Sequence, residues 1–175
     1  GLSSDSNLAR ACRYPLNRWQ AMIRYCDDGR LEISNNLVEN ALRGALERNE
    51  LSVHYQPQLD FERGNAICGF EAMLRWNSAE LGAVSPAEFI PIAEEIGLID
   101  QIGSWVLRHA SLTASHWPKG LQISVNLSAA QFKRRSVVAA TRSALVASGL
   151  NASRMLLEIT ESTLLSDTDA VVEQL

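Results

Sequence analysis

Glutamate, asparagine and arginine side chains recur where they could form one polar site. Glu71 and Arg75 stand four residues apart in the apolar stretch 67–76, while Asn126 and Glu158 stand in two later apolar stretches. Carboxylate and amide oxygens suit Mg²⁺ or Mn²⁺ better than zinc, which prefers nitrogen and sulfur. An arginine beside them can bind a phosphate oxygen through its planar fork. These residue types predict metal-assisted hydrolysis of a phosphoester.

A purely structural role explains two of these residues about as well. If 67–76 is a strand, Glu71 and Arg75 share one of its faces, because side chains alternate along a strand. Charges that are buried need partners, and these two could neutralise each other as an internal ion pair. Polar residues inside a barrel can also serve only to fill space. The pattern alone leaves both interpretations open.

The elements that must position these residues are strands alternating with helices. This alternation favours an α/β fold with a mainly parallel sheet. The predicted strands cover residues 51–59, 67–76, 121–127 and 155–161. Four helices are predicted. The first begins at the Ser85 capping box, with Pro86 at its first position, and ends at about Ile96 before Gly97. The others run from an Asp100 cap to about Trp117, from Ser136 to Ser148 before Gly149, and from Ser166 onward.

Each predicted strand sends apolar side chains to one face and polar side chains to the other. Parallel strands covered on both faces should be almost entirely apolar, so the polar set needs an explanation. A sheet curled into a barrel would bring these groups together at its mouth, where barrel enzymes place their catalytic residues. The polar set comprises His54, Gln56, Glu71, Arg75, Ser124, Asn126, Ser128, Glu158 and Thr160.

Bulk properties limit the class of protein. The net charge of −4 argues against non-specific nucleic-acid binding, which requires a basic surface. The three cysteines lack a C-x-x-C spacing, which argues against a disulfide framework and favours a reducing compartment. No apolar run approaches the roughly 18 residues of a membrane span, and the N-terminus lacks the apolar region of a signal peptide. We therefore expect a cytoplasmic protein.

Five segments, in matching order and spacing, resemble the first part of an EAL domain. They are residues 54–57, 69–76, 85–91, 124–128 and 158–162, which read HYQP, GFEAMLRW, SPAEFIP, SVNLS and EITES. The EAL family is a modified TIM-type (β/α) barrel that hydrolyses cyclic di-GMP to a linear dinucleotide with Mg²⁺ or Mn²⁺. The resemblance implies that residues 41–175 form the first half of such a barrel, with about four strands.

The resemblance also implies roles for individual residues. Glu71, Asn126 and Glu158 match metal ligands, Arg75 matches a phosphate contact and Gln56 a substrate-side residue, and Pro86 to Phe89 would line the base region. Met73 replaces the leucine of the family's name motif. Leucine and methionine have similar volumes, so we expect little consequence.

The resemblance is incomplete at its far end. A whole barrel of this type needs about 250 residues, and the family's paired aspartates, catalytic lysine and later glutamates match nothing in this sequence. We therefore expect the 175-residue chain to be inactive alone. A half-barrel with an open edge would invite pairing with a second copy. The alternative is a non-catalytic module that binds cyclic di-GMP or dimerises.

Residues 1–40 form a predicted helical arm. Apolar residues at helical spacing predict one helix over residues 8–25, and Ser34 to Asn36 would cap a second helix that runs through Glu39 towards Glu47. The segment resembles the C-terminal tail of an insertion-sequence transposase of the DDE class, with Glu39 at the last acidic position. The two partner aspartates of that family are missing, so a DNA-acting fragment is the least favoured interpretation.

Overall fold

The computed structural model describes residues 30–62, 64–133 and 136–159. The chain divides after Asn40 into two units, and the second, Ala41–Leu175, holds the sheet. The helices predicted at residues 8–25 and from Ser166 onward lie outside the described residues. The elements are α1 (Arg30–Ala45), β1 (Leu51–Asp60), β2 (Ala66–Ser78), β3 (Gly82–Val84), α2 (Pro86–Glu95), α3 (Ile99–Ser115), β4 (Gln122–Leu127), α4 (Ala129–Lys133), α5 (Val137–Ser148), a 3₁₀ turn (Ala152–Arg154) and β5 (Met155–Ile159).

The sheet has the strand order β1-β2-β4-β5, and the short β3 pairs with β2. Strands β2, β4 and β5 are parallel, as the alternation of strands and helices predicts. Strand β1 runs antiparallel to β2. The reason is the connection between them, a turn of five residues, since a parallel crossover needs a dozen or more. The predicted α/β fold is confirmed, and its first two strands form an antiparallel hairpin.

The predicted start of α2 is confirmed in atomic detail. Ser85 Oγ accepts a hydrogen bond from the backbone N–H of Ala87 at 3.3 Å, and Glu88 Oε2 accepts one from the backbone N–H of Ser85 at 3.3 Å. This reciprocal pair is a capping box, with Pro86 at the start of the helix. At the end of α5, Gly149 adopts φ = 68°, a left-handed conformation that favours glycine.

Two predicted helix starts are wrong. Asp100 is not a cap, because α3 begins at Ile99 and the capping residue Leu98 makes no side-chain cap bond. The Asp100 carboxylate instead accepts a hydrogen bond from Ser136 Oγ at 2.6 Å. Ser34 to Asn36 do not begin the second helix of the arm, because α1 starts at Arg30 and runs through them.

The apolar face of the sheet packs under the helices. Ala72, Ile123 and Val125 are buried on the strands, and Trp76 packs edge-on against Phe89 of α2 with ring centroids 5.5 Å apart. Fully burying a large apolar side chain stabilises a fold by about 1.5–3 kcal/mol. This layer therefore fixes which face of each strand is left for polar side chains.

A polar contact joins the turn after α1 to the sheet. Glu50 accepts hydrogen bonds from Arg48 Nε at 2.6 Å and from Trp76 Nε1 at 3.0 Å. Arg48 also donates to the carbonyl of Ala41 at 2.6 Å. Because Trp76 belongs to the core, this contact holds the end of α1 against β2.

Candidate functional site

The strand register places the predicted polar residues on one face of the sheet. Gln56 pairs with Glu71, and Glu71 pairs with Ser124. Two residues further along β4, Asn126 pairs with Glu158. Paired residues on neighbouring strands point to the same side of a sheet. Four strands therefore contribute Gln56, Glu71, Asn126 and Glu158 to a shared surface, as the alternation of side chains predicts.

Glu71 meets Asn126 and not Arg75. Asn126 Nδ2 donates a hydrogen bond to Glu71 Oε1 at 2.6 Å. Among residues 30–62, 64–133 and 136–159, Arg75 and Glu71 form no ion pair, and Arg75 Nη1 donates to the carbonyl of Leu74 at 2.9 Å. The interpretation of Glu71 and Arg75 as an internal ion pair is therefore wrong. The guanidinium keeps donors that a ligand could use.

Gln58 joins the two ends of the sheet. Its Nε2 lies 3.5 Å from Glu158 Oε1, and its Oε1 accepts a hydrogen bond from Ser124 Oγ at 3.2 Å. In a flat sheet β1 and β5 would lie about 14 Å apart, three strand spacings of about 4.8 Å. The contact requires a strongly curled sheet, as in the wall of a barrel. Sequence reasoning missed Gln58, although its position two residues after Gln56 was a usable signal.

A cleft of about 460 Å³ lies beside the second half of β2 and the carboxyl end of β4. Arg75 and Asn126 line it together with Pro86 and Ile90 of α2. Its lining also includes Glu94, whose Oε1 accepts a hydrogen bond from Ser128 Oγ at 2.5 Å. The cleft thus combines aliphatic walls with a few polar groups, the usual composition of a small-molecule site.

The structure corrects one predicted substrate contact. Phe89 is fully buried and packs against Trp76, so its ring belongs to the core and does not line the cleft. The capping box at Ser85 sets the phase of α2, which turns Phe89 inward and leaves Pro86 at the cleft. Pro86 and Arg75 lie where a ligand could reach them, and Gln56 is exposed on the polar face.

The chemistry of the donor set fits a hard divalent cation. Glu71 and Glu158 offer carboxylate oxygens, and Asn126 lies between them, hydrogen-bonded to Glu71 and in register with Glu158. Within the described ranges, no three His, Cys, Asp or Glu side chains are grouped closely enough to hold a metal ion. An ion at this face would therefore need the amide oxygen of Asn126 in addition to the two carboxylates.

Comparison with known proteins agrees with this geometry. Residues 39–175 match the family described as EAL domain. The chain belongs to the EAL domain family. Residues 1–54 match a second family, described as Transposase IS66 family. This second match agrees with the resemblance of the N-terminal arm to a transposase tail. In the described part of the chain, no helix combines the length and apolarity that crossing a membrane requires.

Two curated relatives are similar to the EAL part of this chain, and the name of one of them describes cyclic di-GMP turnover. The chain is 47% identical over 135 residues to an uncharacterized protein of Sinorhizobium fredii. The alignment covers 77% of this chain and 16% of that protein. The chain is 45% identical over 141 residues to the bifunctional diguanylate cyclase/cyclic di-GMP phosphodiesterase MucR of Pseudomonas aeruginosa. This alignment covers 77% of this chain and 20% of MucR. The chain thus spans about a fifth or less of these two relatives.

Solved structures support the same fold. The complex of the PaMucR phosphodiesterase with c-di-GMP superposes with a TM-score of 0.74 at 41% sequence identity. The match covers 79% of this chain and 57% of that one. The curled sheet with its crossover helices is therefore the wall of an EAL barrel.

Proposed function

We propose that this EAL domain binds cyclic di-GMP across its cleft and polar face, as part of a metal-dependent site that hydrolyses the dinucleotide to its linear form. The observation that carries the proposal is the convergence of Gln56, Glu71, Asn126 and Glu158 from four strands beside the Arg75 cleft. The naming of MucR as a cyclic di-GMP phosphodiesterase, and the c-di-GMP complex of PaMucR, support the choice of ligand.

The cleft supplies the groups that would hold the nucleotide. Arg75 keeps guanidinium donors for a phosphate oxygen, and charge-assisted bonds of this kind are about twice as strong as neutral ones. Pro86 and Ile90 offer an apolar surface for a base. Gln56 stands on the neighbouring strand, opposite Glu71, and can donate to or accept from the substrate.

Glu71, Asn126 and Glu158 are the residues that would hold Mg²⁺ or Mn²⁺. When bound, such an ion polarises the phosphoester and makes nearby water a better nucleophile. The Asn126–Glu71 hydrogen bond fixes the direction of one carboxylate, and the register of β4 and β5 sets the second at the next strand. These three side chains would hold the ion, and Arg75 would bind a phosphate oxygen of the substrate.

We expect the 175-residue chain to bind the nucleotide without hydrolysing it. Mg²⁺ takes about six oxygen ligands in octahedral geometry, and a two-ion displacement needs a shared shell for both ions. The proposed site assigns three side chains, Glu71, Asn126 and Glu158, to that purpose. A non-catalytic role in cyclic di-GMP binding is the second candidate. Chromatographic analysis of the nucleotide after incubation of the chain with Mn²⁺ tests the expectation, and the appearance of the linear dinucleotide would contradict it and exclude the non-catalytic role.

Calorimetry with cyclic di-GMP in the presence of EDTA tests the binding proposal. Arg75→Ala should weaken binding by about 10–100-fold, the loss of a hydrogen bond worth about 1.5–3 kcal/mol to a charged group. Arg108→Ala, at an exposed position on α3, is the matched control and should leave affinity unchanged. No detectable heat at millimolar nucleotide, or equal effects of the two substitutions, would contradict the proposal.

A further inference from the structure

The side-chain amide of Gln58 lies between a buried hydroxyl and a carboxylate of the candidate metal site. Ser124 is fully buried, and its hydroxyl donates a hydrogen bond to Gln58 Oε1 at 3.2 Å. On the other side, Gln58 Nε2 faces Glu158 Oε1 at 3.5 Å. Neither Gln58 nor Ser124 belongs to the predicted set of metal ligands or substrate contacts.

Two independent requirements give this amide the same orientation. An ionised carboxylate only accepts hydrogen bonds, so the group that faces Glu158 must be the NH₂ of Gln58. The buried hydroxyl of Ser124 needs an acceptor for its proton, and the amide oxygen of Gln58 accepts it at 3.2 Å. The hydroxyl therefore holds the amide with its donor directed at Glu158.

We infer that Gln58 is a positioning residue, which holds the Glu158 carboxylate in the orientation that a divalent cation requires, and that Ser124 acts through Gln58. The inference rests on the proposed metal site. Side chains that hydrogen-bond to a metal ligand fix its direction, and their removal typically weakens metal binding by about 10–100-fold. Glu158 lies on β5 and Gln58 on β1, so the contact connects the first and last strands of the curled sheet.

Titration with Mn²⁺ alone measures this effect without catalysis. Electron paramagnetic resonance monitors binding as the loss of the free-ion signal. Gln58→Met keeps the length of the side chain and removes both hydrogen bonds. It should weaken Mn²⁺ binding by about 10–100-fold. Gln101→Met, the same exchange at an exposed position of α3, should leave it unchanged. Circular dichroism verifies that each variant is folded.

A double-mutant cycle separates positioning from a general structural effect. Ser124→Ala alone should weaken Mn²⁺ binding by at least 3-fold, because the amide of Gln58 is then free to rotate. In the Gln58→Met background the same substitution should change the affinity by less than 2-fold, because its route to Glu158 is already lost. Two residues that act independently would give additive effects.

Three results would overturn the inference. They are a change below 3-fold in Gln58→Met, additive effects in the cycle, and a wild-type chain that binds no Mn²⁺ up to millimolar concentration. Cyclic di-GMP binding in EDTA is measured separately. If the chain binds the nucleotide but its Mn²⁺ affinity is unchanged by Gln58→Met, only the positioning role is contradicted. Loss of nucleotide binding with an intact Mn²⁺ response would contradict only the proposed ligand.

Discussion

Replacement of Gly69 by alanine tests how closely β2 and β4 must approach. A Cβ atom at this position would lie 2.7 Å from the backbone oxygen of Gln122 and 3.1 Å from its carbonyl carbon. Ordinary contacts begin at 3.4 Å, so the two strands would have to separate by about 0.7 Å. Overpacking of this kind destabilises a fold by about 1–3 kcal/mol. Alanine loses less conformational entropy on folding than glycine does, which offsets about 0.5–1 kcal/mol of that loss. We expect a net loss of about 1–2 kcal/mol in the free energy of unfolding.

Urea denaturation of the full chain measures this loss. The matched control is Gly120→Ala, because a Cβ atom there meets nothing within 4 Å and the residue has no positive φ. The control should leave stability unchanged or raise it by up to about 1 kcal/mol. Gly69 lies two residues before Glu71 on the same face, so the strand shift should also weaken Mn²⁺ binding. Equal stabilities of the two variants would refute the tight approach of the strands.

Two further predictions concern stability. The Arg48 guanidinium, and after it the Trp76 indole, lower the pKa of Glu50 from 4.5 to about 2. The lowered pKa stabilises the fold above pH 4.5, and this contribution is lost as the pH falls towards 2. Glu50→Gln should therefore be less stable than wild type at pH 7 and should lose less stability on acidification. Urea denaturation at pH 7 and at pH 3 measures the free energy of unfolding of both proteins. An equal loss in the two proteins between these pH values would contradict the prediction. Ser85→Ala should cost about 0.5–2 kcal/mol by removing a capping box, and an unchanged melting temperature would show that Glu88 alone suffices.

The parts of the fold that sequence predicts are those fixed by local interactions. The capping box needs only Ser85 and Glu88, three residues apart, and both are visible in the sequence. The alternation of side chains assigns Glu71 and Asn126 to one face without knowledge of their neighbours. The direction of β1 was also within reach, because a turn of five residues excludes a crossover. By contrast, β3 and α4 are too short to show any periodicity.

The parts that sequence does not predict depend on distant partners. Asp100 resembles a helix cap, but it is engaged by Ser136 from an element 36 residues away. The family resemblance alone implies that Phe89 is a ligand contact, and only its packing against Trp76 shows that it belongs to the core. Gln58 has no local signal beyond its place in the alternation. Its partners lie 66 and 100 residues further along the chain.

The contact between Gln58 and Glu158 has a consequence for synthesis of the protein. The hairpin of β1 and β2 is local, so it can form as soon as residue 78 is available. Glu158 follows Gln58 by 100 residues, which take about 5–20 s to translate at about 5–20 residues per second. Asn126, the hydrogen-bond partner of Glu71, is synthesised 55 residues after it. During this interval the hairpin of the nascent chain is already paired while the site still lacks Glu158, so ion binding would report a step that follows formation of the hairpin.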